Sequence, residues 1–203
     1  WDANSRRLVG LDASGKSGSN VDVEALLAEE EPSVPGSGPR SVTVPGALSG
    51  WNALIEKYGT MTLAEVLAPA IRIANEGFPV TPIIAQDWAG TVNGLRRDIG
   101  AAATFLIDDE APEAGDWFRN PDLARSFQRI SDGGAQAFYG GDLGREIVEG
   151  LSTLGGYLTL EDLQSHEPRW VEPLSVDYKD YRLWELPPAG QGIAALQMLK
   201  MLE

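Results

Sequence analysis

The sequence predicts an α+β fold that is rich in helices. Two observations carry this prediction: several segments place apolar residues at helical spacing between capping and stopping residues, and strand patterns occur at residues 5–11 and 170–186. The chain has 203 residues, of which 43% are hydrophobic. A chain of this size buries about 70% of its unfolded surface, so a substantial core is expected. The length fits one large domain or two small ones.

The helices are predicted from their ends as much as from their apolar faces. Thr62 and Glu65 form a capping box, T-x-x-E, and Gly77 ends the helix that this box begins. Pro69 lies inside that helix and predicts a kink. Thr159 and Asp162 begin a short helix in the same way. The other helices are predicted at residues 48–58, 83–99, 121–132, 143–154 and 192–203. The helix at 83–99 is the weakest, because Gly90 and Gly94 interrupt it.

The remaining segments are predicted as strands and loops. Residues 5–11 form a short strand, and residues 170–176 and 181–186 form a hairpin around Lys179 and Asp180. The region of about 12–40 is predicted to be a flexible loop and linker. Its parts are a Gly/Ser loop at 12–20, an acidic short helix or solvated turn at 22–31, and a linker with three prolines at 32–40.

Composition excludes several classes of function. The formal charge of −14, from 16 basic and 30 acidic residues, argues against a nucleic-acid partner, which needs a basic face. The chain has no Cys, which excludes a disulfide scaffold, a zinc finger and a thiol nucleophile. We expect no cofactor and no metal. The acidic patch at 108–116 lacks the regular oxygen positions of a calcium loop and is predicted to be solvated. No apolar run approaches the roughly 18 residues of a membrane span.

One stretch matches the phosphate-loop pattern. Gly10–Ser17 fits G-x-x-x-x-G-K-[ST], and residues 105–108 resemble an apolar strand ending in a magnesium-holding carboxylate, Asp108. A phosphate loop needs a helix beginning at its Lys-Ser pair, but residues 18–20 are Gly, Ser and Asn, which are poor helix formers. The βαβ alternation of such domains is also missing. A nucleotide-binding domain using Gly10–Ser17 is therefore an alternative that local chemistry disfavours.

The remaining polar residues do not match a known set of catalytic residues. His166 stands beside Glu161, Asp162 and Glu167, and a general-base role is one hypothesis. An exposed His at the end of a short helix is the favoured one. No Ser occurs in a G-x-S-x-G setting, which would mark a hydrolase nucleophile.

Three stretches together resemble one family. The first spans residues 44–80 and contains V-P-G-A-L-S-G-W and, from Tyr58, Y-G-T-M-T-L-A-E-V-L-A-P-A-I-R-I-A-N-E-G-F-P-V. The second contains N-P-D-L-A-R from Asn120 and G-A-Q-A-F-Y-G from Gly134. The third contains G-G-Y-L-T from Gly155, then E-D-L, and P-P-A-G-Q-G ending at Gly192. In order and spacing these stretches resemble the large subunit of gamma-glutamyltranspeptidases, over residues 1–203 as one partial large-subunit domain.

The resemblance implies part of an N-terminal-nucleophile hydrolase with an αββα sandwich. In such a family a precursor cleaves itself, and a Thr becomes the first residue of the small subunit. That Thr attacks the γ-glutamyl carbonyl of glutathione-like substrates, its own amine acts as the base, and small-subunit N–H groups stabilise the oxyanion. The acyl group then passes to water or to an amino acid. Catalytic residues are thus expected outside this chain, which alone should be inactive.

The same resemblance implies partners and a compartment. The expected partner is the small subunit of the same precursor, and an isolated large-subunit portion should expose apolar surface and self-associate. A periplasmic or secreted location is typical of the family, with a cytoplasmic one as the alternative. A non-catalytic remnant that binds a partner subunit is a further hypothesis of a different class.

The resemblance also assigns two substrate-binding residues. In the family, the strand matching residues 8–11 leads to Asp, one residue, then Arg-Glu, and that Arg binds the α-carboxylate of the glutamyl group. Here Ser14 stands in the Arg place, two residues after Asp12. Ser cannot give the bidentate contact that Arg gives, but Lys16 can supply a positive charge. The S-G-basic pattern is similar to the transpeptidase-like branch, which includes acylases. We predict that Lys16 and Ser14 face the substrate's acidic end; a surface Lys in a flexible loop is the alternative.

Overall fold

The computed structural model describes residues 1–30 and 33–203. Positions 31 and 32, the end of the predicted acidic stretch and the start of the predicted linker, lie outside the described residues. The α-helices are α1 Val23–Leu27, α2 Ala47–Tyr58, α3 Leu63–Glu76, α4 Pro82–Ala89, α5 Val92–Leu95, α6 Ile99–Phe105, α7 Pro121–Gly133, α8 Gln136–Tyr139, α9 Asp142–Thr153, α10 Leu160–Gln164 and α11 Gly192–Leu202. The strands are β1 Gly10–Asp12, β2 Phe78–Pro79, β3 Trp117–Phe118, β4 Arg169–Val171, β5 Leu174–Tyr178 and β6 Tyr181–Glu185.

The chain forms two compact units. Unit 1 combines residues 1–60 with 135–203, and unit 2 consists of residues 61–134. The strands of the described residues form three separate antiparallel pairs, β1 with β4, β2 with β3 and β5 with β6. The α+β, helix-rich fold class is confirmed. The extent of one domain over 1–203 and the linker at about 12–40 stay predictions.

Unit 1 contains two of the strand pairs. In the first pair Gly10 lies opposite Val171. The second is the predicted hairpin, in which Tyr178 lies opposite Tyr181 and helix α11 packs on both strands. Leu163 is fully buried in the core of this unit. The other buried apolar side chains of unit 1 are Val44, Leu48, Tyr139, Leu143, Leu158 and Leu196.

Two strand predictions in unit 1 are wrong in extent. The predicted strand 170–176 is two strands, because Pro173 has no N–H group to continue a ladder and the chain changes partner there. The predicted strand 5–11 begins only at Gly10. Arg7 instead pairs with Asp2 across a turn in which Arg6 has a φ of 52°.

Unit 2 is built on the packing of α3 against α7. The predicted capping box at the start of α3 is confirmed, since the Glu65 carboxylate accepts the Thr62 N–H at 2.7 Å and the Thr62 hydroxyl accepts the Glu65 N–H at 3.2 Å. The Asn120 side chain caps α7 by accepting the Leu123 N–H at 2.9 Å. Pro69 lies inside α3 as expected, and its kink stays a prediction.

The segment between these two helices differs from the prediction. The interrupted helix expected at 83–99 is two separate helices, α4 and α5, and α6 begins at the end of that range. Gly90 ends α4, and the Asp98 carboxylate caps α6 at 2.7 Å from the Ala101 nitrogen. The strand suggested at 105–108 is also wrong, since Phe105 ends helix α6. Asp108 follows in a turn with a φ of 51°.

Candidate functional site

The loop after β1 forms one wall of an open cleft in unit 1, with a volume of about 930 Å³. We call it the unit 1 cleft. Both predicted binding residues, Ser14 and Lys16, line it, and so does His166. Its other polar and charged lining side chains are Asp12, Ser17, Ser19, Asp162, Ser165, Glu167 and Arg169. The sequence hypotheses about Lys16 and His166, made separately, therefore meet in one place.

The pairing of β1 with β4 fixes the start of the loop. Asp12 lies opposite Arg169, whose guanidinium donates to the carboxylate at 2.7 Å, and the second carboxylate oxygen accepts the Ser14 N–H at 2.9 Å. The hydrogen bonds from the Ser14 backbone and hydroxyl, then from Arg169, hold the pKa of Asp12 below its ordinary value. The Asp12 side chain is only 14% exposed, so its carboxylate interacts with Ser14 and Arg169 more than with solvent. Sequence reasoning missed Arg169 because 157 residues separate it from Asp12.

A second carboxylate anchors the far end of the loop. Asp162, in the first turn of α10, accepts the backbone N–H and the hydroxyl of Ser19 at 2.9 and 3.1 Å and the Thr159 N–H at 2.8 Å. Burial would raise the pKa of Asp162, but these hydrogen bonds outweigh burial and leave the pKa below its ordinary value. The predicted capping box of Thr159 and Asp162 is confirmed, and it also ties down the cleft wall.

The glycines of the loop serve close backbone packing. A Cβ atom on Gly15 would overlap the Val44 carbonyl, and one on Gly18 would overlap the Tyr157 carbonyl. The Val44 N–H donates to the Lys16 carbonyl at 2.9 Å, so the two backbones lie side by side. Only glycine lets chains approach this closely.

This geometry does not support the phosphate-loop alternative at Gly10–Ser17. Strand β1 pairs antiparallel to β4, whereas a phosphate loop follows a parallel strand. Ser17 forms an antiparallel bridge with Thr43, and the next helix, α1, begins only at Val23. Backbone N–H groups of a helix N-terminus therefore do not converge behind Lys16, as phosphate binding there requires.

Lys16 presents its ammonium group to the cleft. Its side chain is exposed, and within the described part of the chain the ammonium forms no ion pair. The other lining cation, Arg169, donates to Asp12. An anionic ligand can therefore bind the Lys16 ammonium group without first breaking an ion pair.

His166 is held by a hydrogen-bond network. Its Nε2 lies 2.8 Å from the hydroxyl oxygen of Ser49, which is buried in the first turn of α2. That hydroxyl donates its single proton to the Gly46 carbonyl at 2.7 Å, so it accepts from His166. The Tyr139 hydroxyl accepts the Ser49 N–H at 3.0 Å and donates to the Pro45 carbonyl at 2.7 Å.

The structure corrects the favoured hypothesis about His166, an exposed residue at the end of a short helix. The residue does follow α10, but it is half-buried and hydrogen-bonded rather than exposed. His166 does not act as a base toward Ser49, because the Ser49 hydroxyl gives its proton to the Gly46 carbonyl. A general-base role toward another group stays a hypothesis. Burial, and then the positive charge of Lys16, lower the pKa of His166 below its ordinary value, while Asp12 opposes the shift. No sequence pattern joins Ser49 to His166, since 117 residues separate them.

Within residues 1–30 and 33–203, no group of three or more His, Cys, Asp or Glu side chains is placed to hold a metal ion. The same residues include no helix long and apolar enough to cross a membrane.

Comparison with known proteins shows the family to which this fold belongs. The family model described as Gamma-glutamyltranspeptidase matches residues 1–203. The chain is 36% identical to the Glutathione hydrolase-like YwrD proenzyme of Bacillus subtilis, over 94% of this chain and 36% of that protein. It is 35% identical to the Oxamate amidohydrolase proenzyme of Klebsiella pneumoniae, over 94% of this chain and 37% of that protein. The structure of a cephalosporin acylase from Bacillus halodurans matches with a TM-score of 0.89 and 37% identity, over 100% of this chain and 39% of that chain.

These matches define a class and a family. The chain is a helix-rich α+β portion of an N-terminal-nucleophile hydrolase fold. It belongs to the gamma-glutamyltranspeptidase family, and the resemblance noted in the sequence is confirmed. The chain spans a little over a third of the length of these relatives, at 36, 37 and 39%.

Proposed function

We propose that this chain is the large-subunit portion of an enzyme that hydrolyses or transfers γ-glutamyl or related acyl groups from glutathione-like substrates. The family supports this proposal, as do relatives named as a glutathione hydrolase-like protein, an amidohydrolase and an acylase. Two of these relatives are named proenzymes, which supports a precursor that is processed into two subunits. The proposed partner is the small subunit of that precursor, which carries the Thr nucleophile.

One observation carries the substrate proposal: Lys16 stands in the unit 1 cleft without an ion-pair partner among the described residues. An ammonium group without an ion-pair partner, in the cleft that Ser14 also lines, suits the carboxylate end of an acyl donor, since a charge-assisted hydrogen bond is roughly twice as strong as a neutral one. Asp12 and Asp162 hold both ends of the loop, so the position of Lys16 is set before a ligand arrives. Such preorganisation lowers the cost of binding.

The proposed division of labour follows from what each subunit holds. This chain binds the acid end of the donor and thereby orients its acyl carbonyl. The hydroxyl oxygen of the small-subunit Thr attacks that carbonyl, and the α-amine of the same Thr takes the hydroxyl proton. The amide bond of the donor then breaks, the departing amine takes that proton, and an acyl-enzyme remains. Water or an amino acid then attacks the acyl-enzyme and releases the Thr.

The test is kinetic and uses the complete two-subunit enzyme. Lys16→Ala is expected to raise KM for L-γ-glutamyl-p-nitroanilide by about tenfold with kcat little changed, because the lost contact positions the donor before and during the reaction. Lys16→Arg should retain most of the affinity. Lys200→Ala, which removes the same charge from the exposed end of α11, is the matched control. An unaltered KM in Lys16→Ala would contradict the proposed role of the cleft.

A further inference from the structure

The single imidazole of the chain is locked in one tautomer. Ser49 donates its hydroxyl proton to Gly46, so His166 must donate its Nε2 proton to Ser49. In a neutral ring the other nitrogen, Nδ1, then carries a lone pair and is a hydrogen-bond acceptor. The network through Tyr139 fixes the Ser49 backbone, so the tautomer is set by the fold rather than by solvent.

That acceptor faces the unit 1 cleft. His166 lines the cleft, and within residues 1–30 and 33–203 Nδ1 has no hydrogen-bond partner. Across the same residues, no side-chain nitrogen or oxygen is both buried and without a partner. Nδ1 of this half-buried ring is therefore accessible, and the open side of the ring is the cleft.

The groups around the ring carry charges of both signs. Asp12 and Lys16 are the charged groups whose fields reach the ring, with opposite effects on its charge. The Asp12 carboxylate already accepts from Ser14 and Arg169. An acyl donor that carries a carboxylate and an N–H group on one carbon can place the carboxylate at Lys16 and the N–H group at Nδ1.

We propose that His166 determines specificity in this cleft: its Nδ1 accepts a hydrogen bond from the α-ammonium group of a glutamyl-type acyl donor whose α-carboxylate is bound by Lys16. This inference rests on the proposed function. The site then selects donors that bear the amino group over desamino donors of the same length. Lys16 serves both kinds of donor, and His166 serves only the first.

The test uses two donors that differ by the amino group alone, L-γ-glutamyl-p-nitroanilide and glutaryl-p-nitroanilide. In the complete enzyme, His166→Gln is the main variant, because its amide can still donate to Ser49 while the acceptor at the Nδ1 position is lost. We expect His166→Gln to raise KM roughly tenfold for the glutamyl donor, the loss of one hydrogen bond to a charged group, and to leave KM for the glutaryl donor unchanged. His166→Asn keeps an acceptor near the Nδ1 position and should retain the preference.

The outcomes separate the two proposals. If His166→Gln changes both donors equally, or neither, the specificity role is wrong and His166 is structural. If Lys16→Ala changes KM for neither donor, the proposed function of the cleft fails, whatever His166 does. Lys16→Ala should instead raise KM for both donors, since both carry the carboxylate.

A measurement on the unaltered chain keeps the inference testable even if the variants do not fold. The 203 residues contain one His, so ¹⁵N-histidine labelling gives a single pair of imidazole nitrogen signals. We expect a protonated Nε2 and an unprotonated Nδ1, and an Nδ1 shift on adding L-glutamate that glutarate does not produce. A protonated Nδ1 in the neutral ring, or equal responses to both probes, would overturn the proposal.

Discussion

The cleft wall of unit 1 and the helix pair of unit 2 are held together in different ways. In the wall, hydrogen bonds join groups far apart in sequence: Asp12 with Arg169 at a separation of 157 residues, Ser19 with Asp162 at 143, and Ser49 with His166 at 117. In unit 2, helices α3 and α7 are capped by residues three positions away and packed through apolar faces. Local signals therefore define helices α3 and α7, whereas the cleft wall exists only after distant segments meet.

The largest loss of stability is expected at Gly46, where two backbone segments of the cleft wall are in contact. Gly46→Ala would place a Cβ atom on the Ala13 carbonyl and 3.0 Å from His166 Nε2. Because the clash is with backbone, we expect the free energy of unfolding to fall by about 3 kcal/mol. Gly36→Ala, where a Cβ atom meets nothing within 4 Å, is the control and should change stability by no more than about 0.5 kcal/mol. Urea unfolding followed by circular dichroism measures both; equal values would show that the wall is not tightly packed.

The two capping boxes give a smaller and more direct comparison. Asp162→Ala removes an N-terminal cap and also the tie to Ser19, so we expect a loss of about 2 kcal/mol. Glu65→Ala in unit 2 removes a local partner alone and should cost about 1 kcal/mol or less. Hydrogen exchange at the Ser19 amide should rise in Asp162→Ala and stay unchanged in Glu65→Ala. The reverse order of stabilities would contradict the long-range role of Asp162.

The smallest effect is a pH dependence. The pKa values of Asp12 and Asp162 are below the ordinary 3.8, so the folded state binds these protons less readily than the unfolded chain does. Their stabilisation is present above pH 3.8 and is lost as the pH falls through the lowered folded-state pKa values. We expect Tm to drop below that pH in the parent chain and to drop less in Asp12→Asn. A parent and variant with parallel Tm curves between pH 2 and pH 5 (about the range over which carboxylates titrate) would contradict this assignment.

The features that could be predicted from the sequence are those that depend on residues close together in the chain. The Thr62–Glu65 box, the Asn120 cap and the turn at Lys179 were all readable, because each depends on residues within four positions. The interruption at Gly90 was readable too, but the start of α6 at Ile99 was not, since Asp98 lies in an otherwise helical pattern. The prediction of one strand at 170–176 was wrong in extent for a related reason. The sequence pattern runs on through Pro173, and the change of partner strand there depends on where β1 lies.

The candidate site shows the same limit. Lys16 and Ser14 were identified through family resemblance, and the structure places both in one cleft. Arg169 and Ser49 carried no signal, because an Arg in a strand and a Ser in a helix are ordinary residues until a partner is opposite them. The phosphate-loop pattern misled for the opposite reason: Gly15 and Lys16 fit a motif by spacing, while the backbone path gives the glycine a packing role.

The sequence by itself determined the capped starts of α3, α7 and α10, the hairpin turn, the acidic charge and the family, because these depend on residue type and near neighbours. Only the tertiary structure decided that β4 pairs with β1, that the glycine loop lies flat against residues 43–46, and that His166 donates through Nε2 to Ser49. The first and the last of these features require segments more than 100 residues apart to meet at hydrogen-bond distance. A hydrogen bond reaches about 3 Å, so its partner is known only when the fold is.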